Sequence, residues 1–548
     1  MSFDVIIRGG RVLDGTGAPP FRADVAVSGD RVAAVGRLET AEAATVIDAS
    51  GRFVAPGFVD CHAHGDAAVF DPAVQRAALR QGVTTFVLGQ DGLSFAPGSA
   101  ETVAYASRYF AAVNGPLHES RLRAGAPGEG PPYEEPLREG PLREGPLREG
   151  PLPEGPLREG PLSVAELLGS YDRAVAVNTA YLLPHGTIRY DVMGPSSAPA
   201  SADDLAAMLR RVERGLAEGA AGLSTGLEYL PGRYADAEEL AALCRPLGGL
   251  PYVTHMRAYG PGAGVGMAEV VDIASRSGAA VHVSHLHGPA DVLLPLVGDA
   301  LARDVDLSFD TYPYLRGNTI LAMVVLPPSV PAAETGRALE LIAAADLDEW
   351  WPGLDATWPR LTVSHAPGME WTEGLTVVAA AERAGVSPAE LCRRLLIETR
   401  LEAGVVSARP DEGPEGEQSV RRMLRHPSHT GGSDGIYVGG HPHPRGFGAF
   451  ARFLGRHVRE LGDWTWEQAA VHLAAHPARR FGLSDRGLVR TGFAADLVVI
   501  DPATVADRAT YAEPRELATG VADVLVSGVP VLAGGELTGA LPGRALRP

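Results

Sequence analysis

The sequence predicts an α/β protein: a (β/α)8 barrel with a small β-sandwich domain formed from both chain ends. Three observations predict it. The centre alternates eight short apolar runs with amphipathic stretches, as parallel strands joined by helices do. Residues 1–56 and 480–548 carry short period-two runs broken by glycine, the signature of small β-sheets. With 548 residues, 45% of them hydrophobic, the chain is long enough for a large core and an accessory domain.

The first segment, 1–56, has strand-like runs at 5–7, 11–13, 25–27 and 32–35. Similar runs at 488–489, 496–500 and 524–528 lie in the last segment, 480–548, and the two ends are expected to pair. Between them, 57–479 is the barrel, with strands beginning at Phe58, Val83, Ala174, Ala220, Tyr252, Ala279, Val305 and His429. Helical patterns fall between them, for example at 203–218 and 235–247. A ninth run at 361–364 reads as part of an insertion before the last strand. Within 119–162, residues 136–162 repeat PLREG and PLPEG units. A proline in every unit forbids helix and sheet alike, and one leucine per unit builds no core, so a solvated, disordered loop is expected.

Composition excludes several classes. A net charge of −19 argues against a nucleic-acid partner. All 48 basic residues are arginine, which excludes a Schiff-base lysine, a P-loop lysine and a carbamylated lysine bridging two metals. Three cysteines make no disulfide framework. The opening MSFDVIIRGG lacks the features of a signal peptide, and no apolar run is long enough for a membrane span. A cytoplasmic protein with no membrane partner is expected.

The chemistry begins at Gly57-Phe58-Val59-Asp60-Cys61-His62-Ala63-His64. Two histidines at i and i+2 on a strand end face the same way, and two neutral imidazoles there suit a Zn2+-type ion. Alone the pair is weak evidence, since His285/His287 and His441/His443 share the spacing. Its position after the first barrel strand gives it weight. His255 closes Pro251-Tyr252-Val253-Thr254, His285 closes Val281-His282-Val283-Ser284, and Asp434 lies in Gly431-Gly432-Ser433-Asp434-Gly435. Four histidines and one aspartate, each at a strand end of one barrel, would converge at its mouth.

In order along the chain stand VIIRGGRVLDGTG, PGFVDCHAH, THMR, VSHLH, DTYPY, GGSDG, HPRGFGAF, PARRFGL and ADLVVIDPATVADRATY. This order resembles the D-aminoacylases, the N-acyl-D-amino-acid deacylases of the amidohydrolase superfamily, over nearly the whole chain except about 119–162. The resemblance implies a zinc-bearing barrel flanked by a β-sandwich, one or two divalent metal ions, and a small-molecule N-acyl amino acid as substrate. The ligands it implies are His62, His64, His255 and His285, with Asp434 as catalytic acid/base and possible ligand.

Two departures from the family pattern bear on the site. Where the family has an NCG triplet whose cysteine ligates metal, this chain has Gln90-Asp91-Gly92, so Asp91 is the expected replacement, an oxygen donor harder than thiolate. Glu228 is the competing bridge. Where the family motif ends in lysine, VSHLH ends in His287. The resemblance then leaves the substrate carboxylate to Arg445, whose planar fork suits it, and to Tyr312. G-x-S-x-G occurs at 222–226 and 431–435, but 66 glycines make that pattern cheap, and a serine hydrolase ranks last. The expected activity is hydrolysis of the amide bond of N-acyl (D-)amino acids. The alternatives are another amidohydrolase reaction, on a dipeptide or cyclic amide, or a catalytically inactive barrel scaffold.

Overall fold

A computed structural model describes residues 2–118 and 160–548. Eight parallel strands run through its centre: β1 (Phe58–Asp60), β2 (Val83–Leu88), β3 (Asn178–Tyr181), β4 (Leu223–Gly226), β5 (Tyr252–His255), β6 (Val281–Val283), β7 (Leu307–Asp310) and β8 (His429–Thr430). Hydrogen-bonded neighbours follow chain order, β1 to β2 to β3, and the ladder resumes at Leu183–Pro184 beside β4 and continues through β8. Past β8, Gly435 and Ile436 pair in parallel with Ala63 and His64, and the Asp434 N–H donates to the His62 carbonyl at 2.8 Å. The segment after the eighth strand therefore lies against the segment after the first.

Buried apolar residues on both faces and helices between successive strands explain why these runs form parallel strands. Helix Ala202–Ala217, between β3 and β4, starts in a capping box, Ser201 and Asp204 each satisfying the other's backbone N–H. Helix Ala263–Ser277 links β5 to β6 and ends on Gly278, whose left-handed conformation (φ 73°) terminates it.

The chain ends meet in a seven-stranded sheet in which Leu497–Ile500 runs antiparallel to Phe53–Pro56. A four-stranded sheet contains Ser2–Arg8, Asp24–Ser28, Arg31–Gly36 and Glu42–Asp48. Val5, Val25 and Val27 of the second sheet share one apolar cluster with Val54, Leu497 and Leu525 of the first. The pair 488–489 forms no strand; Val489 is buried there and makes a backbone bond to Asp14. The third central strand begins at Asn178 rather than Ala174, because the C-terminal tail takes the preceding backbone: Gly543 bonds both Arg173 and Val175.

Between β7 and β8 the chain leaves the central strands. Arg316–Ile320, Gly404–Ala408 and Leu361–His365 form an antiparallel sheet with a hydrophobic core of its own. The run at 361–364 belongs to this insertion, as expected. Most of the expected loop at 119–162, including residues 136–159 of the repeat, lies outside the described residues. No helix among the described residues is long and apolar enough to cross a membrane.

Candidate metal centre and active site

Each site residue sits at or just beyond the C-terminal end of a central strand. His62 and His64 follow β1, Asp91 follows β2, His255 closes β5, His285 follows β6, and Asp434 follows β8. All six are buried. Three of them, Asp91 (φ 54°), His285 (φ 34°) and Asp434 (φ 50°), hold the left-handed backbone conformation that non-glycine residues rarely adopt. Such strain persists only where the surroundings impose it, and it concentrates at functional sites.

Asp91 is the hub. Its Oδ1 lies 3.6 Å from His62 Nε2 and 3.6 Å from His285 Nε2. Its Oδ2 lies 3.6 Å from His64 Nε2 and 3.4 Å from His255 Nδ1. Each carboxylate oxygen thus faces one histidine of the β1 pair and one from β5 or β6. The loop that carries Asp91 is pinned by Ser224, whose hydroxyl donates to the Gly89 carbonyl and accepts from the Gly92 N–H. Gly226 lets this loop approach β4, since a Cβ there would sit 2.1 Å from the Asp91 carbonyl oxygen.

The far sides of three rings are held by polar partners. His62 Nδ1 faces Asp310 at 3.4 Å, His64 Nδ1 faces Asn114 Oδ1 at 3.2 Å, and His255 Nε2 faces Glu228 at 2.9 Å. A hydrogen bond on one ring nitrogen fixes the tautomer and leaves the other nitrogen's lone pair for the site. Asp310 also accepts the His285 backbone N–H at 2.9 Å. Glu228 touches only His255 among the four histidines and is about one-third exposed (37%), so it orients a ring while Asp91 occupies the centre.

The electrostatics suit a cation. Burial opposes a charge on His62, yet Asp310, Asp91 and Asp434 outweigh it and raise that imidazole to about 9. For His255 burial is likewise outweighed, by Asp91 and Glu228, and the ring is raised to about 10. Burial works against the Asp91 carboxylate too, but His255 and His285 hold it well below the usual range. His62 Nε2, His255 Nδ1 and Asp91 Oδ1 are buried without a hydrogen-bond partner, a costly arrangement unless something else satisfies them. Two overlapping groups, His62/His64/Asp91 and Asp91/His255/His285, have donor atoms within 4.8 Å of one another. Imidazole nitrogens and a carboxylate in this number are a donor set that would hold one or two divalent ions.

Asp434 lies between this cluster and the remaining expected residues. Its Oδ1 is 3.2 Å from His64 Nε2 and 3.6 Å from His62 Nε2, and its Oδ2 is 2.8 Å from Arg445 Nη2. Burial would raise its pKa, but Arg445 and the histidines lower it, keeping the carboxylate ionised. Arg445 is fully buried with its guanidinium 4.5 Å from the Tyr312 ring centre, and its Nε and Nη1 have no hydrogen-bond partner. His287 stacks on Tyr259 and puts its Nδ1 2.6 Å from the His285 carbonyl oxygen, while burial pushes its pKa down to about 3. It is therefore neutral and supplies no charge in the family lysine's place. A cavity of ≈ 210 Å3 opens onto the cluster, lined by His64, Asp91, His255, His285, His287, Tyr312 and Asp434.

The remaining candidates have other work. Ser433 donates to Asp60 and accepts from the Gly435 N–H, so both G-x-S-x-G serines are buried and committed to holding loops. Cys61 is a buried thiol 3.1 Å from Thr430 Oγ1. Asp310 and Asn114 escaped the sequence reading. Asp310 had a signal in its position at the end of an apolar run in DTYPY, whereas Asn114 had none.

Strand-end histidines and carboxylates gathered around a cation-seeking centre are the site of a metal-dependent amidohydrolase. Comparison with known proteins agrees: residues 327–532 match the model of an amidohydrolase family. The chain is 34% identical to a D-aminoacylase of Alcaligenes xylosoxydans xylosoxydans over 99% of its own length and 97% of the relative's. It is 32% identical to an N-acyl-D-glutamate deacylase of the same organism, over 99% and 96%. Among solved structures it resembles N-acyl-D-glutamate deacylase from Bordetella bronchiseptica, complexed with zinc and a phosphonate mimic of the tetrahedral intermediate. That match has 30% identity, a TM-score of 0.78 and full coverage of both chains. The chain belongs to the D-aminoacylase family of amidohydrolases.

Proposed function

We propose that this protein is a metal-dependent deacylase that hydrolyses N-acyl-D-amino acids to a carboxylate and a free D-amino acid. In this reading the eight parallel strands close as a (β/α)8 barrel over 57–479, with 1–56 and 480–548 forming a β-sandwich beside it. The observation that carries it is the Asp91 carboxylate set among four imidazoles from three strand ends, beside Asp434 and a cavity.

His62, His64, His255, His285 and Asp91 would hold zinc or a similar ion, with Asp434 at its edge. When bound, such an ion polarises an amide carbonyl and brings the ionisation of water near neutral pH. Asp434, ionised and facing the cavity, accepts the proton of the attacking water and returns it to the departing nitrogen, since an amine leaves poorly until protonated. The free Nε and Nη1 of Arg445, with Tyr312, hold the substrate carboxylate and orient the scissile bond. Three buried free thiols support a reducing, cytoplasmic setting.

The test is Asp434→Asn, assayed on paired N-acetyl-D and N-acetyl-L amino acids with metal analysis of the same preparation. Turnover of the D series by wild type, abolished in the variant while metal content stays near wild type, is the expected result. Retained turnover in the variant would refute the role of Asp434.

A further inference from the structure

Arg445 is the first residue of helix Arg445–Arg452, and its Nη2 reaches Asp434 Oδ2 at 2.8 Å. The placement of that helix therefore sets the geometry around the carboxylate assigned as acid/base. Two glycines let the helix press on the turn after β8. A Cβ on Gly435 would lie 3.1 Å from the Gly446 Cα, and one on Gly446 would lie 3.0 Å from the Tyr437 ring. Such contact fixes a distance. Holding the helix against sliding, or turning about its axis, takes a directional contact.

Gln81 supplies one. It follows helix Pro72–Arg80, which links β1 to β2, and it is buried. Its Nε2 donates to the Ala77 carbonyl of its own helix at 3.1 Å and to the Gly446 carbonyl at 2.9 Å. Its Oε1 accepts the Phe450 N–H at 3.1 Å. The Gly446 carbonyl and the Phe450 N–H are the two groups that a regular helical turn joins to each other. The Gln81 amide spans them, with both its N–H bonds and its oxygen engaged. An amide offers a donor and an acceptor side by side; an apolar side chain offers neither, and an ionised carboxylate has no donor.

The other backbone contact at this end is local, since the Arg445 N–H donates to His443 Nδ1 at 3.0 Å. That bond shapes the turn into the helix but does not tie the helix to the rest of the fold. Gln81 does so from a position 365 residues earlier in the chain than Gly446, and it lies outside the cavity wall.

We propose that Gln81 is a positioning residue for Arg445. Its amide clips the first turn of helix Arg445–Arg452 to the end of helix Pro72–Arg80 and so sets the guanidinium against Asp434 and the substrate carboxylate. This rests on the deacylase reading above, in which Arg445 and Asp434 act on the substrate. Misplacing such a group by about 1 Å costs up to about 100-fold in rate.

The experiment is a double-mutant cycle on the full-length, metal-loaded enzyme. It uses whichever of N-acetyl-D-leucine, N-acetyl-D-glutamate and N-acetyl-D-aspartate wild type turns over fastest. Gln81→Met, close to glutamine in length but without its amide, is expected to lower kcat/KM about tenfold or more. In an Arg445→Lys background the same change is expected to cost less than about twofold, because the group it positions is already altered. Gln81→Glu keeps an acceptor for the Phe450 N–H and is expected to fall between wild type and Gln81→Met; it carries the same cycle if Gln81→Met does not fold. Thermal unfolding verifies the fold, and elemental analysis is expected to find metal content near wild type in each folded variant. Equal losses in both backgrounds, loss of metal together with activity, or folded Gln81 variants as active as wild type would overturn the inference and leave the deacylase reading standing. Turnover of none of the three substrates by wild type would overturn both.

Discussion

Replacing Asp310 by asparagine is expected to weaken metal binding without unfolding the protein. The carboxylate is fully buried, with Oδ2 3.4 Å from His62 Nδ1 and 3.1 Å from His282 Nε2, and Oδ1 accepting the His285 backbone N–H. Burial would raise its pKa, but His62 and His282 outweigh it and hold the group well below the usual range, so it is charged at neutral pH. A unit charge at that distance from an imidazolium is worth up to about 5 kcal/mol at an effective dielectric near 20, much of it offset by desolvation. Carboxylates behind metal-bound histidines are generally worth about 10–100-fold in affinity, or roughly 1.4–2.7 kcal/mol. Asparagine keeps the volume and an acceptor for the His285 N–H, but sets an uncharged amide NH2 donor where Oδ2 faced His62 and His282, so the His62 ring loses both the charge and the acceptor behind it. The assay is competition for Zn2+ against a chromophoric chelator, with circular dichroism and thermal unfolding to verify the fold. A folded variant whose affinity stays within twofold of wild type would refute the view that Asp310 tunes His62.

Asp91 and Glu228 are expected to separate cleanly. Asp91→Ala removes the group shared by all four histidines and should abolish stoichiometric metal retention after dialysis, whereas Glu228→Gln, which keeps a hydrogen-bond partner for His255, should retain it; elemental analysis of both proteins decides. Far from the centre, the buried Asp463 takes hydrogen bonds from Arg421 and Arg425 and faces His457 Nδ1 at 2.9 Å. Asp463→Asn should cost about 2 kcal/mol of stability in urea unfolding at pH 7, given two partly exposed arginines and one buried histidine as partners. Burial opposes that carboxylate, but His457, Arg421 and Arg425 lower its pKa below the usual value. Its contribution is therefore complete above about pH 4 and lost on further acidification, so the wild-type and variant stabilities should converge below that pH.

Much of the central architecture was legible because the eight parallel strands are buried on both faces and read as continuous apolar runs. Six of the eight expected starts, all but those at Ala174 and Ala220, agree with the observed strands to within two residues. At Ala174 the apolar signal runs ahead of the ladder because Val175 and Val177 are buried by the C-terminal tail, a contact more than three hundred residues away in sequence. Strand Glu42–Asp48 gave no signal: it carries almost no buried side chain and is held by its parallel pairing with Ser2–Arg8. At the site, His62, His64, His255 and His285 were visible as histidines closing apolar runs. The choice between Asp91 and Glu228 was not, because it depends on a left-handed turn that swings Asp91 inward and on which face of His255 each carboxylate meets. Asn114 behind His64 lies on a four-residue helix that no local pattern marks as part of the centre.

In the proposed function, four imidazoles and the Asp91 carboxylate form a metal centre on which deacylation depends. The most direct measurement titrates divalent metal into chelator-stripped protein while following both bound metal and hydrolysis of N-acetyl-D-leucine. Activity that is absent from the stripped protein and returns as one to two equivalents bind is the predicted result. Full hydrolysis by protein shown to be metal-free would contradict it.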